Sequence, residues 1–212
     1  MPSSEQLVLA ARAAGVADER VLDAIRHTPR AEFVPAKHIA LAYADDPIPI
    51  SHGQVTTQPS LVAMMIAALG LTGAEHVLEV GTGYGWQTAL LARLTSSVVS
   101  VERWPDMVEE ARRGLGRERL LGKVELVIGD GTLGMADHAP YDGVLVSAAF
   151  PEVPPPLVGQ LRPGGRLVQP IGPGGQELVE LYERRGLGLV HVRTVTSARF
   201  VRLYGTHGYT PG

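Results

Sequence analysis

The chain has 212 residues, about 45% of them apolar, which is enough to bury a full core, and this length favours one domain. A formal charge of −3 with a pI near 6.2 supplies no global pull toward nucleic acid or anionic lipid. The absence of cysteine excludes disulfides, thiolate metal sites and a thiol nucleophile.

The N-terminal MPSSEQLVLAARAAG is interrupted by Arg12 and lacks the basic start and long apolar core of a signal peptide. The longest apolar stretch, LVAMMIAALGL at 61–71, is too short to span a bilayer. A soluble, cytoplasmic, monomeric protein that binds neither nucleic acid nor membrane is the expectation. The chain also contains no asparagine and only two lysines, Lys37 and Lys123. Codon bias in a GC-rich genome accounts for both depletions together, and selection against a deamidation-prone residue accounts for the first.

In chain order, residues 4–14 and 18–27 carry helical spacing, the second opening at Asp18 as an N-cap with Val21, Leu22 and Ile25 on one face. Pro29 stops it. From Phe33 to Gln58 runs a long proline-punctuated segment with little periodicity, and ordered loops of that length usually serve a site. Pro59 suits the first turn of a helix reaching about Leu69, because its missing N–H costs nothing there. Strands are then expected at 76–80, 97–101, 124–128 and 142–147, alternating with helices at 86–94, 105–115 and 155–161. Such alternation reads as right-handed crossovers on a parallel sheet with both faces covered, so the fold class is α/β. The C-terminal stretches GGRLVQPIG, QELVELYER and LVHVRTVTSARFVRL hold strand formers without helices between, the pattern of an antiparallel edge. The expected organisation is therefore one domain over 1–212. It comprises N-terminal helices and a substrate-side loop (1–58), a cofactor-binding core (59–172) and C-terminal strands (173–212).

The turn LEVGTGYGWQ places Gly81, Gly83 and Gly85 between a strand and a helix, where the backbone turns tightly and a ligand approaches without meeting a Cβ. Glu102 ends the next strand about twenty residues on, positioned to accept hydrogen bonds from both hydroxyls of a ribose. An adenosine ligand follows, although a solvated strand-end charge is the alternative for Glu102. Glu79, two residues before the first glycine, would repel a pyrophosphate but suits a ligand carrying an ammonium and a sulfonium. The turn also reads GxGxG and not GxGxxG, a second departure from the dinucleotide form. Asp130, in GDG after the third strand, suits an adenine amino group, or simply an Asp-Gly turn. His27, His38 and His52 show no HxxxH or HExxH spacing, so no metal is expected. Trp86 is read as core packing in preference to a stacking partner for adenine.

These residues resemble the protein-L-isoaspartate O-methyltransferase family, and the resemblance covers nearly the whole chain. RAEFVP (30–35), YADDPIPISHGQVTTQPSLVAMM (43–65), VLEVGTGYGWQTALLARL (77–94), VSVER (99–103), GDGTLG (129–134), APYDGVLVSAAFPEVPPPLVGQLRPGGRLVQPIG (139–172) and ARFVRL (198–203) match its blocks in order. The resemblance implies a Rossmann-like fold that transfers a methyl group from S-adenosyl-L-methionine to the free α-carboxylate of L-isoaspartyl residues, with damaged peptides or proteins as partners. It implies that Thr57 supplies the active-site hydroxyl and that Gln58 and Ser60 lie beside the cofactor. Glu79, Gly81, Thr82, Gly83 and Gly85 would form the first cofactor loop, Glu102 the ribose contact, and Asp130 with Gly131 the adenine side. Val55, Thr56, Phe200, Val201 and Arg202 would form the substrate lip.

The chain departs from the family pattern on that lip. The usual TIS before Gln-Pro is here Val55, Thr56, Thr57, and the usual VRFVPL is Ala198 to Leu203 with Arg202 where proline is expected. Two other readings remain open, a carboxylate O-methyltransferase that tailors one dedicated peptide and a non-catalytic S-adenosylmethionine-binding scaffold.

Overall fold

A computed structural model describes residues 3–173 and 175–210. The first helices are α1 (Ser4–Ala13) and α2 (Glu19–Arg26), and the Asp18 carboxylate accepts from the Arg20 N–H at 2.9 Å as the expected cap. The long segment that follows is not featureless. It contains short 3-10 turns at Arg30–Phe33, Ala36–Leu41 and Ser51–Gly53, and a small hairpin of β1 (Ile48–Pro49) and β2 (Val55–Thr56), with Ile48 opposite Thr56. Two-residue strands lack the length for a visible alternation, so periodicity alone does not reveal them. Helix α3 (Pro59–Leu69) begins on Pro59 as expected and ends on Gly70 in the left-handed region.

The alternating elements then follow as β3 (His76–Val80), α4 (Trp86–Leu94), β4 (Ser97–Glu102), α5 (Pro105–Arg117), β5 (Val124–Ile128), β6 (Tyr141–Val146) and α6 (Pro155–Gln160). Three long strands close the chain, β7 (Leu161–Ile171), β8 (Glu177–Arg185) and β9 (Gly188–Ala198). They make one seven-stranded sheet in the order β5-β4-β3-β6-β7-β8-β9. The pairs from β5 to β7 are parallel and the last two, β7·β8 and β8·β9, are antiparallel, so the C-terminal edge has the expected sense. Register in the centre sets Val77 beside Val98 and Gly143. The Asp142 carboxylate fastens that junction, accepting from the His76 N–H at 2.7 Å and pairing with Arg162 at 2.6 Å.

Strand alternation divides the core between the two faces. Val77 joins the cluster made with Leu7, Leu22, Met65 and Leu90 of helices α1 to α4, while Leu78 and Val80 join Val99, Val144 and Leu157 on the opposite face. Each such side chain, taken fully out of water, contributes roughly 1.5–3 kcal/mol. Glu79 shares a face with Val77 and is directed at α4, which matters for the site below. Among the described residues no helix is long and apolar enough to cross a membrane. No group of His, Cys, Asp or Glu among them could hold a metal ion.

Candidate functional site

The strand order reverses at β3. Strands β4 and β5 succeed it on one side and β6 lies on the other, which leaves a crevice beyond the carboxyl ends of the parallel strands. A cleft of about 450 Å³ occupies that place. Its floor is the turn after β3, with Gly81, Thr82 and Gly83, flanked by Glu102 at the end of β4, Trp104 just beyond it, Gly131 after β5 and Ser147 after β6. The first strand of the turn is anchored on both sides, by Gly81 N–H to Val101 O and Ser147 N–H to Val80 O, each at 2.9 Å.

Two of the glycines act differently. Gly83 (φ 56°) turns its N–H to the Glu102 carboxylate at 3.0 Å, and the space above it is open but for Ile50, 3.8 Å from where a Cβ would stand. Gly85 (φ 93°) has a packing reason, since a Cβ there would lie 2.9 Å from the Ala111 Cβ on α5. The other oxygen of Glu102 accepts from the N–H groups of Arg103 and Trp104 at 2.8 and 3.2 Å. Burial raises the Glu102 carboxyl above its ordinary range while these backbone donors oppose the shift.

Of the residues singled out from the sequence, Val55, Thr56, Thr57, Gly81, Thr82, Gly83, Gly85, Glu102, Gly131, Val201 and Arg202 line this one cleft. Glu79, Gln58, Ser60, Asp130 and Phe200 do not. Glu79 is fully buried beneath the floor, accepting from Thr88 Oγ1 and Ser100 Oγ at 2.5 Å and from Gln87 Nε2 at 2.8 Å. Burial pushes its carboxyl up to about 7, against three hydrogen bonds that favour the anion. Thr82 Oγ1 continues the chain of hydroxyls by sharing a 2.5 Å hydrogen bond with Ser100. Glu79 therefore touches the cleft indirectly, through the turn it supports and through Gln87, which lines it.

Gln58 Nε2 and the Ser60 N–H both donate to the carboxylate of Asp45, at 2.9 and 2.8 Å, and line a second, separate hollow against α1 and β9. Asp130 accepts from the Thr132 N–H and hydroxyl and from the Thr206 N–H, at 2.9, 2.6 and 2.7 Å, so it ties the C-terminal segment to the turn after β5. Phe200 packs against the helix-side core, and its N–H donates to Glu177.

The most consequential residue that sequence reasoning missed is Arg30. It is completely buried, yet its guanidinium donates to the carbonyls of Ala44 and Asp46 at 3.0 Å and to Thr56 Oγ1 at 2.7 Å, with longer contacts to Ala42 O and Thr57 O at 3.4 Å. Burial lowers its pKa to about 10, partly opposed by Asp45 and Asp46. One side chain thus gathers the aperiodic loop and β2 into a wall of the cleft. Thr56 is occupied by this task, since its hydroxyl also accepts from the Ile48 N–H at 3.1 Å. The neighbouring Thr57 hydroxyl has no protein hydrogen bond among the described residues and is available to a ligand.

The hairpin tip is fastened across the cleft. The His52 ring stacks on Trp104 with centroids 3.8 Å apart and 4° between planes, and its Nε2 meets Asp106 at 2.8 Å. Ser51 Oγ shares a 3.0 Å hydrogen bond with the Tyr84 hydroxyl. Trp104 itself gives an apolar wall beside Met107 and Ile50. Trp86 also lines the cleft, but it is mostly buried, packs in the helix-side core and donates its indole N–H to Thr28 O at 3.2 Å, in keeping with core packing.

The sheet order, the glycine turn after β3 and the carboxylate ending β4 define a Rossmann-like fold of the S-adenosylmethionine-dependent methyltransferase class. The protein-L-isoaspartate(D-aspartate) O-methyltransferase family model matches residues 2–208, and the chain belongs to that family. A protein-L-isoaspartate O-methyltransferase of Methanoculleus marisnigri is 48% identical over 199 residues, covering 93% of this chain and 89% of that protein. A solved protein-L-isoaspartate O-methyltransferase superposes with a TM-score of 0.85 at 29% identity, covering 97% of this chain and 67% of the other. The fold is shared as well with a Plasmodium falciparum protein described as a putative enzyme of this kind in complex with S-adenosyl-L-homocysteine. That match has a TM-score of 0.83 and 19% identity, covering 96% of this chain and 99% of the other.

Proposed function

We propose that this chain transfers a methyl group from S-adenosyl-L-methionine to the free α-carboxylate of L-isoaspartyl residues in damaged proteins and peptides. The observation that carries the reading is the convergence, in one cleft, of the glycine turn, the inward-facing Glu102 carboxylate and the unpartnered Thr57 hydroxyl. The lining suits the donor. Glu102 offers acceptor lone pairs to ribose hydroxyls, Trp104, Met107 and Ile50 offer apolar contact to a base, and Gly81 and Gly83 let the ligand lie against backbone. When bound, the cofactor supplies an electrophilic methyl group on positively charged sulfur.

The remaining work falls to positioning. A carboxylate with a pKa near ~4 is already ionised at pH 7, so the acceptor oxygen needs no general base. Thr57 Oγ1 donates to one oxygen of that carboxylate and leaves the other free to face the methyl group. Alignment of this sort supplies up to ~7–11 kcal/mol of barrier reduction. Arg30 holds the wall that carries Thr57, and the stacked His52 fastens the hairpin tip over Trp104. Glu102 is directed to three backbone amides, so an incoming carboxylate does not face a second free one.

Incubation with methyl-labelled S-adenosylmethionine and matched isoaspartyl and aspartyl peptides tests the proposal. Base-labile label on the isoaspartyl peptide alone is expected. Label on neither peptide, from protein that binds S-adenosylhomocysteine, refutes it.

A further inference from the structure

The mouth of the cleft carries two exposed arginines, Arg103 and Arg202. Arg202 stands in a segment that bridges to Ala149, in the stretch following β6, where Ala149 N–H donates to Val201 O and Leu203 N–H to Ala149 O, each at 2.8 Å. Its guanidinium carbon lies 5.0 Å from the centre of the Tyr209 ring. That of Arg103 lies 5.0 Å from Trp104 and 5.4 Å from Tyr204. The two tyrosines meet edge to face with centroids 6.3 Å apart. Both cations thus rest on one connected aromatic platform, which limits their freedom without neutralising them.

Neither arginine is ion-paired among the described residues. Also at the rim, the His52 ring meets Asp106 at 2.8 Å, and Glu102 is turned inward to the Gly83 N–H. A chain of net charge −3 thus sets two cations without ion-pair partners on the lining of the cleft that also holds Val201 and Thr57. Planar guanidinium forks held in place match carboxylates bidentately, and two of them at one entrance exceed what a single acceptor carboxylate requires.

We infer that Arg202, with Arg103 beside it, is a specificity-determining pair that favours isoaspartyl segments carrying further carboxylates within a few residues of the damaged one and disfavours basic segments. The inference rests on the reading of the chain as an isoaspartyl methyltransferase and adds the substrate class to it. It also gives a consequence to the arginine that replaces proline in the C-terminal motif.

Three isoaspartyl peptides differing only in flanking Glu, Gln or Lys residues separate the possibilities, with kcat/KM measured at low and high salt for the wild type, Arg202→Gln and Arg202→Glu. In the wild type the Glu peptide is expected to exceed the Gln peptide by about fivefold, the scale of an exposed ion pair, and the Lys peptide to fall below it. The preference should reside in KM, shrink as salt screens it, flatten in Arg202→Gln and invert in Arg202→Glu. The same ranking in all three proteins, or no ranking in the wild type, overturns the specificity pair while methylation of the Gln peptide leaves the parent activity standing. Failure to methylate even the Gln peptide overturns the activity and this inference together.

Discussion

Replacing Arg30 by methionine keeps the apolar stem and removes the fork that organises the cleft wall. Three close hydrogen bonds disappear, to Ala44 O, Asp46 O and Thr56 Oγ1, along with two weaker ones at 3.4 Å. A hydrogen bond from a charged donor is worth about 1.5–3 kcal/mol net, so the three together would reach roughly 5–9 kcal/mol if additive. Two effects reduce that sum. Removing a buried cation recovers its desolvation cost, and freed carbonyls in a loop regain water. A loss of about 2–4 kcal/mol remains, below the roughly 3–5 kcal/mol of breaking a buried ion pair because no unpaired charge is left behind. Urea denaturation of wild type and variant measures it, and kinetics with an isoaspartyl peptide partitions the consequence. Peptide KM should rise and kcat fall, with S-adenosylhomocysteine affinity nearly retained because Gly83 and Glu102 are untouched. Arg30→Lys should recover little, since an ammonium does not span acceptors from both Ala44 and Thr56. An Arg30→Met protein with unchanged unfolding midpoint and unchanged peptide KM would refute the claim that this side chain builds the wall.

Three more outcomes are expected. The raised Glu79 carboxyl, about 7 when folded against 4.5 when unfolded, binds more protons in the native state between those values. Its contribution is thus fully present below pH ~4.5 and is lost as pH rises through ~7, up to about 3 kcal/mol. Stability curves across pH 5–8 should slope less for Glu79→Gln than for wild type, and parallel curves would contradict the raised Glu79 carboxyl. Glu102→Ala should weaken S-adenosylhomocysteine binding by roughly 1.5–3 kcal/mol in calorimetry, and unchanged affinity would remove Glu102 from the site. Thr57→Val should leave that affinity nearly intact while lowering turnover about tenfold or more, with equal rates in both proteins dismissing the hydroxyl.

The parallel half of the sheet was legible because β3, β4 and β6 are short apolar runs punctuated by turn residues, and α5 keeps an apolar stripe of 3.6-residue period. The glycine turn and Glu102 were legible as cleft residues because a strand–turn–helix unit and the end of the next strand fix their spacing along the chain. Arg30 was invisible as a functional residue for the opposite reason. A charged side chain reads as solvated, and its acceptors are backbone carbonyls of a loop with no period of its own. The only trace was its place in the RAEFVP block. Trp104 carried a better signal, an aromatic two residues past Glu102 and just before the Pro105 that opens α5. The displacement of Gln58 and Ser60 from the cleft depends on Asp45, thirteen and fifteen residues earlier, and Glu79 is turned away by strand alternation. The first follows from a pairing across the fold that local spacing does not encode, whereas the second is inherent in the two-residue alternation of β3.

The immobilised Asp130 has a meaning beyond the turn it braces. Isoaspartate arises when the following residue's amide nitrogen attacks a side-chain carbonyl, and a glycine next in line offers least obstruction. This chain has no asparagine and two Asp-Gly pairs, at 130–131 and 142–143. Asp130 is clasped by Thr132 and Thr206, while Asp142 is clasped by His76 and Arg162 on a strand. Neither carboxylate can swing toward its neighbour's nitrogen without first surrendering those partners, so a catalyst of mending is itself fastened at the two points where ageing would begin.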